Sequence, residues 1–446
     1  MAGAKEAMGG PDGGFFGLRN VRAMQRDLFG FYCETARKHG DACRYRVGPF
    51  VVVQLTHPEH VHQVLVEKSK AFRKPERLRR VLGQWNGNGL AVNEGESWVR
   101  QRRLTNPAFK PQRLERYVAI VNRRVAELLE GWRHETRLDV SKAIYRLTLG
   151  VVAEALFGSD VERHTERFAR EVATLNLDGL KEMSSPILLP LWSPTPRKTR
   201  IRRATRYLQS VADEMIAAHR QESVDRGDLL SALLHVPDDD GGGAQMTDRQ
   251  ARDEAINLML GGAETTGTAL LWTLHLWSTH PAEQAAARDE VRRVLRGAPP
   301  TWADLAELGT VERAFKEALR LYPPAYLIPR EAAQDVEIGG HAIPEGAQVT
   351  LVVYVTQRDA RWFAEPDAFR PDRFLDEASW PRGAYVPFGL GPRACIGKTF
   401  ATMEAVAALA QIVERFELRA TGPVQSEAQV SLHPKGGLVL DVAPAP

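Results

Sequence analysis

From Trp98 to about Arg296 apolar positions recur every three to four residues, the spacing that gathers them on one face of a helix. Pro186, Pro190, Pro194 and Pro196 interrupt that run. Within it, Thr247 and Gln250 form a capping-box pair, and no proline follows until Pro281. The pattern predicts a helix over 248–280, roughly 50 Å long at 1.5 Å per residue. From Leu258 to Trp277 it is mostly apolar on all sides, so it should be buried. Helices are also expected from Lys398 to about Arg415 and from Pro58 to about Lys70. Residues 42–56 carry Tyr45, Val47 and the run Phe50-Val51-Val52-Val53 around a Gly-Pro turn, which predicts a hairpin. Short strand-like runs return near 335–354 and 429–442. Residues 73–97, with Gly83, Gly87, Gly89 and Gly95, read as irregular, and residues 1–14 as a loose tail. No internal repeat is visible. The fold class is mainly α with a small β region.

Composition narrows the class. The chain has 446 residues, 43% hydrophobic and 26% charged, an ordinary globular balance with length enough to enclose a cavity. A net charge of +3 does not by itself indicate nucleic-acid binding. The three cysteines, Cys33, Cys43 and Cys395, are too few for a disulfide framework and suit a reducing compartment. The first thirty residues hold Lys5, Glu6, Asp12, Arg19 and Arg22 and no apolar signal region. No uncharged apolar run of about 18 residues occurs. The expected location is therefore cytoplasmic, with no membrane anchor. The run Asp238-Asp239-Asp240 before Gly241-Gly242-Gly243 reads as a solvated loop, because adjacent acids lack the alternating spacing of a calcium site.

The most informative stretch is Phe388-Gly389-Leu390-Gly391-Pro392-Arg393-Ala394-Cys395-Ile396-Gly397. Its glycines let backbone approach a flat cofactor closely and expose amide N–H groups. A helix pattern follows, so Cys395 is expected at a helix N-terminus, where the dipole favours a thiolate. Such a thiolate, bound axially to heme iron, donates electron density and favours O–O cleavage. A lone cysteine before a helix is more often a small buried hydrophobe. Gly389 to Ala394 also match the relaxed dinucleotide pattern G-x-G-x-x-A, but Pro387 weakens the strand that this motif needs.

At this point the chain resembles the cytochrome P-450 family. Residues 388–397 match its cysteine signature F-x-x-G-x-R-x-C-x-G at every fixed position. Gly261-Gly262-Ala263-Glu264-Thr265-Thr266 resembles the oxygen-activation motif of its long helix. Glu317-Ala318-Leu319-Arg320 is similar to E-x-x-R, and Pro371-Asp372-Arg373-Phe374 to P-E-R-F with Asp for Glu. Trp98 and Arg102 match the W-x-x-x-R of the helix that contacts a heme propionate. The resemblance spans about residues 40–440 and implies the family's triangular, helix-dominated catalytic domain over 15–446.

The resemblance assigns roles. Cys395 is the implied metal ligand of heme b (iron protoporphyrin IX); Trp98, Arg102, Arg330, Phe388 and Arg393 are implied to bind that cofactor. Arginine suits bidentate contact with a propionate, whereas a solvated arginine is the plainer reading for Arg330 alone. A buried triad of Glu317, Arg320 and Arg373 is implied to hold the cysteine loop, against the alternative of a surface ion pair. Glu264 and Thr265 are the implied catalytic pair, passing protons to bound oxygen. Independently of the family, Gly261 and Gly262 in mid-helix cost about 1 kcal/mol each against Ala, which suggests a groove, a kink or a close approach. Thr265 can bond back to the Gly261 carbonyl; a plain packing pair with a back-bonded Thr is the competing reading.

The implied reaction is insertion of one oxygen atom from O2 into an apolar small molecule, by hydroxylation or epoxidation. No flavin or iron–sulfur segment follows Cys395 before Pro446, so electrons are expected from a ferredoxin or flavodoxin with its NAD(P)H-dependent reductase. A monomer is expected. A peroxide-driven relative usually lacks the acid–Thr pair, and a heme sensor would need an output domain. Substrate-contacting segments are implied near 76–92, 172–196, 258–266, 325–329 and 430–433, with Leu82, Trp85, Leu90, Leu175, Leu177, Leu188, Tyr326, Leu327, Ile328 and Leu432 making a mostly apolar pocket. Terpenoid, steroid, fatty acid and polyketide stay open. Arg77, Arg79 and Arg80 are either a carboxylate anchor or a solvated face.

Overall fold

The computed structural model describes residues 8–133, 136–158, 162–183, 185, 187–221, 228–235 and 246–446. The acidic run at Asp238 to Asp240 lies outside the described residues, as do residues 1–7 of the expected tail. The chain forms two compact units, each assembled from separated stretches: residues 1–79, 184–188 and 319–395, and residues 80–183, 189–318 and 396–446.

The first unit is built on a five-stranded sheet. Its order is Ala42–Val47, Phe50–Leu55, Gln348–Leu351, Ile328–Ala332 and Phe72–Arg73. The expected hairpin is present, in register from Ala42 opposite Leu55 to Val47 opposite Phe50. Gly48 takes φ 57° in its turn, a conformation that glycine reaches without a Cβ penalty. Alternate side chains bury Val53 and Leu55 with Val349, Leu351 and Ala332. The helix expected over 58–70 is instead broken: an α turn Pro58–His62, a π turn Gln63–Glu67 and a 3-10 turn Ser69–Ala71. Val61, Val64 and Leu65 all enter the core from it, and the widened turn lets neighbouring residues do so. In the described part of the tail, the Arg44 N–H of the first strand donates to the Gly9 carbonyl at 2.9 Å.

The second unit is helical. The long helix runs Asp248–Thr279, with the Thr247–Gln250 capping box formed in both directions. It packs on the helix Val140–Phe157 at its glycines. A Cβ on Gly262 would stand 2.8 Å from Val152 Cγ2, and one on Gly267 2.7 Å from the Tyr145 ring. Close approach of helices therefore explains Gly262. The Lys398–Arg415 helix has the expected bounds. Residues 76–86, expected to be irregular, form a helix, Glu76–Asn86. Val81 and Trp85 are buried one turn apart on it, and this apolar spacing outweighs the helix-breaking tendency of Gly83. Three short strands, Arg137–Asp139, Val439–Pro444 and Phe416–Ala420, make a small sheet, and Ser426–Ala428 with Leu432–Pro434 a hairpin. No helix among the described residues is long and apolar enough to cross a membrane.

Candidate active site

Cys395 is the last residue of the first unit, and its side chain is exposed. The loop leading to it is shaped by backbone. Gly389 and Gly391 have φ 68° and 69°, the left-handed region that other residues enter at a cost. A Cβ on Gly391 would lie 2.0 Å from the Leu65 carbonyl oxygen, so only glycine fits there. A 3-10 turn covers Gly391–Arg393, and the Cys395 N–H donates 2.8 Å to the Phe388 carbonyl. The helix begins at Lys398 with Gly397 as its cap, so Cys395 stands just before the helix start rather than on its first turn. Of the other cysteines, Cys43 is buried and donates 3.0 Å to the Gly40 carbonyl, and burial pushes its thiol up to about 11. Cys33 is exposed, but on the ordinary helix Leu28–His39.

Arg320 is fully buried, and so is Glu317, which rejects the reading of a surface pair. In the first unit the Arg320 guanidinium donates to the carbonyls of Gln357 (2.8 Å), Pro366 (2.7 Å) and Ala368 (3.2 Å). Arg373 donates to the same Ala368 carbonyl at 3.4 Å and to that of Ala364 at 3.0 Å. Two motif arginines thus converge on one stretch of irregular backbone, which has no ladder of its own to satisfy its carbonyls. Arg330 lies on the strand Ile328–Ala332 and donates 2.9 Å to the Pro329 carbonyl. Arg77 reaches the Ser185 carbonyl and lies over the Phe50 ring.

In the second unit, Trp98 and Arg102 are on the helix Gly95–Thr105. That helix is anchored by Gln101, which accepts 2.6 Å from Asn93 Nδ2 and donates 2.9 Å to the Asn88 carbonyl. The loop before it is pinned to the long helix: Asp253, Glu254 and Asn257 accept from the N–H groups of Asn88 (3.0 Å), Leu90 (3.2 Å) and Ala91 (3.2 Å).

Thr265 bonds back to the Gly261 carbonyl at 2.6 Å, as expected. In a helix otherwise mostly buried over Leu258 to Trp277, these two residues are exposed, so one short face stands open. Glu264 does not share that face. Its Oε1 accepts 2.7 Å from Ser431 Oγ and 3.1 Å from His433 Nε2. Burial would raise the acid's pKa, but the bonds from His433, Ser431 and Asn176 outweigh it and hold the carboxyl below its ordinary 4.5. His433 Nδ1 meets Tyr145 Oη at 2.8 Å, and Tyr145 Oη meets Thr268 Oγ1 at 3.0 Å. Sequence reasoning named the 430–433 segment but neither Ser431 nor His433. Their i, i+2 spacing next to strand Leu432–Pro434, which sends both side chains to one face, was the available signal.

The donor set fits a thiolate-ligated heme. No group of three His, Cys, Asp or Glu side chains able to hold a metal occurs among the described residues. Cys395 can supply one soft ligand, and a macrocycle carrying its own four nitrogens needs no more on that side. The backbone of its loop is held by the glycine conformations and by the Phe388 carbonyl, with the thiol left outward.

The comparisons agree. The family model described as Cytochrome P450 (hereafter P-450) matches residues 9–440. The chain is 36% identical over 385 residues to cyclooctatin synthase of Streptomyces melanosporofaciens, covering 85% of this chain and 83% of that protein. It is 34% identical over 402 residues to pentalenene oxygenase of Streptomyces avermitilis, covering 89% and 87%. It is 32% identical over 389 residues to cyclooctat-9-en-7-ol 5-monooxygenase of Streptomyces melanosporofaciens, covering 85% and 83%. With nearly the whole chain matched and each motif in its order, the protein belongs to the cytochrome P-450 family of heme-thiolate monooxygenases.

Proposed function

We propose that this enzyme oxygenates an apolar terpenoid, with heme b held by Cys395 and with Thr265 and Glu264 handling protons. The exposed Cys395 thiol on its glycine-shaped loop carries the cofactor assignment. Relatives named for pentalenene and cyclooctat-9-en-7-ol support the terpenoid class. When bound, the heme supplies activation of O2 and transfer of one oxygen atom.

This chain's residues do the rest. The Phe388 carbonyl and the two glycines hold the backbone at Cys395, which orients the thiolate. Arg102, Arg330 and Arg393 are the cations proposed for the two propionates, with Trp98 and Phe388 as ring contacts. Thr265, exposed and bonded back to the Gly261 carbonyl, offers a hydroxyl that can accept a proton and give one. Glu264, one residue away, is a carboxylate that can take up a proton and then resupply it. The loop 88–91 is pinned by three side chains of the long helix, and its Leu90 is proposed to add apolar surface to the substrate pocket. The proposed electron donor is a ferredoxin or flavodoxin with its reductase.

Two measurements test the reading. Cys395→Ser should abolish the thiolate-specific red-shifted band of the reduced carbon monoxide complex; a retained band would refute the ligand assignment. Titration of the holoenzyme with pentalenene or cyclooctat-9-en-7-ol should shift its ferric optical spectrum. A spectrum moved by fatty acids or steroids alone would overturn the terpenoid class.

A further inference from the structure

One short segment of the first unit holds apolar side chains in water. Phe15, Phe16 and Leu18 are 80%, 53% and 48% exposed, and the two rings meet edge to face at 5.0 Å. Single exposed apolar residues are ordinary on a surface, but three within four positions form a patch. The turn that presents them is both fixed and strained. Phe16 has φ 51° and ψ 25°, the left-handed region that a bulky side chain enters only at a cost. Gly17 has φ 68°, and a Cβ on it would stand 2.2 Å from the Arg46 carbonyl oxygen. The Gly17 N–H donates 3.2 Å to the Gly14 carbonyl, and the Arg19 N–H donates 3.0 Å to that of Gly13. Asn20, buried, donates 3.0 Å from Nδ2 to the Arg46 carbonyl. A held turn whose strain keeps two rings in water points to an apolar partner.

The charges around the patch are mostly positive. Leu18, Arg22 and Arg26 follow one another at four-residue steps on the helix Leu18–Arg26, so they share a face. Arg44 and Arg46 lie on one face of the strand Ala42–Val47 and are exposed, as are Arg19, Arg22 and Arg26. Three acids lie on or next to these segments. Asp12 pairs with Arg19 at 2.9 Å, Asp41 with Arg361 at 2.6 Å, and Asp27 caps the next helix by accepting 2.9 Å from the Gly30 N–H. Arg22, Arg26, Arg44 and Arg46 have no acidic partner among the described residues. Apolar rings beside guanidinium groups match the interface of an anionic bilayer, where rings reach the acyl boundary and cations the headgroups. A second copy of the chain fits less well, because its own arginines would face these. No helix among the described residues is long and apolar enough to cross a membrane, so the contact is with one leaflet.

We propose that Phe15, Phe16 and Leu18, with Arg22, Arg26, Arg44 and Arg46, dock this enzyme reversibly on the surface of an anionic phospholipid bilayer. The rings enter the boundary between headgroups and acyl chains, which removes their apolar surface from water. The guanidinium groups take lipid phosphates, whose oxygens match their paired donors. Neither contribution suffices alone: three side chains bury little area, and exposed cations are screened by salt. The docking does not depend on which apolar substrate the enzyme takes.

The test is flotation of the whole chain, with its heme, on lipid vesicles. Vesicles of phosphatidylcholine and phosphatidylglycerol in about equal parts should carry the protein, and phosphatidylcholine alone should carry about tenfold less. Phe15→Ser together with Phe16→Gly should lower binding to the mixed vesicles by about tenfold or more. Glycine suits the φ of 51° at position 16, so the turn keeps its shape, and an unchanged carbon monoxide spectrum of the reduced variant shows the fold intact. Arg22→Glu with Arg26→Glu should remove the preference for phosphatidylglycerol, as should high salt. A parent protein that stays off the mixed vesicles, or a Phe15→Ser, Phe16→Gly variant that binds them as well as the parent does, overturns the proposal. So does a dimer, seen by sedimentation without lipid, that the same two substitutions dissolve, since a second copy is then the occupant. Vesicle binding seen only after residues 2–7 are removed also overturns it, because the chain's own first residues then cover the rings.

Discussion

Single residues divide here into those whose chemistry is exposed and those whose burial is costly. Thr265 is of the first kind: an exposed hydroxyl bonded back to a carbonyl of its own helix. Thr265→Ala should still take up heme and ligand but release more reducing equivalents as peroxide, whereas Thr265→Ser, which keeps the hydroxyl, should restore most of the coupling. Equal product per electron in both variants would remove Thr265 from the mechanism. Glu404 is of the second kind. It is fully buried on the Lys398–Arg415 helix, with no partner for either carboxyl oxygen among the described residues. Burial pushes its pKa well above 4.5. A carboxyl raised in the fold contributes stability that is fully present below the unfolded value near 4.5 and lost as pH rises toward the folded one. Glu404→Gln should therefore gain stability relative to the parent as pH rises above 4.5, by up to about 1.4 kcal/mol per pH unit. Urea midpoints of the two proteins at pH 5 and pH 8 check this; a constant difference would show that Glu404 is ionised in the fold.

At the scale of elements, the packing of the long helix against Val140–Phe157 turns on glycines that look alike in the chain but do different work. Around Gly261 a Cβ meets nothing within 4 Å, whereas at Gly267 it would press 2.7 Å from the Tyr145 ring. Gly261→Ala should leave the stability of the apoprotein unchanged or raise it by about 1 kcal/mol, the helix-propensity difference. Gly267→Ala should lower it by about 1–3 kcal/mol through overpacking, and it should also disturb the Tyr145–His433 bond. Thermal melts of the two variants settle the contrast, and equal losses would contradict it. The same reasoning explains the Glu76–Asn86 helix. The glycines near 83–95 looked like a break, but a Cβ added at Gly83 would meet open space, and only Gly87 and Gly89 are pressed, by Asp253 and Asn257. Local composition showed glycines; which of them a neighbour crowds depends on a helix more than 150 residues further along the chain.

For the whole molecule the relevant field is electrostatic. Net charge is +3, yet Arg100, Arg103, Lys110, Arg113 and Lys398 all belong to the second unit, and Arg103, Lys110 and Lys398 are exposed. We propose that these five charges form one patch, which would steer an acidic partner over a range that salt limits to about 8–10 Å. Reduction by an acidic ferredoxin should slow steeply as ionic strength rises, and Lys398→Glu or Arg113→Glu should slow it with pentalenene binding intact. A rate indifferent both to salt and to these reversals would leave the charges with solubility alone.

The sequence by itself determined the family, the long helix with its capping box, the Lys398–Arg415 helix, the hairpin at 42–55 and the cysteine loop. Each of these rests on local chemistry: an apolar period, a cap three residues from its partner, or glycines and a thiol within ten positions. Tertiary structure decided what depends on distant neighbours. It placed the three turns at 58–71, the helix at 76–86 and the burial of Glu317 and Arg320. It also decided where Glu264 points. Next to Thr265 in the chain, its carboxylate is bonded to Ser431 and His433, some 167 and 169 residues away. A helix turns about 100° between neighbours, so adjacent side chains face different surroundings, and only the folded chain supplies those surroundings.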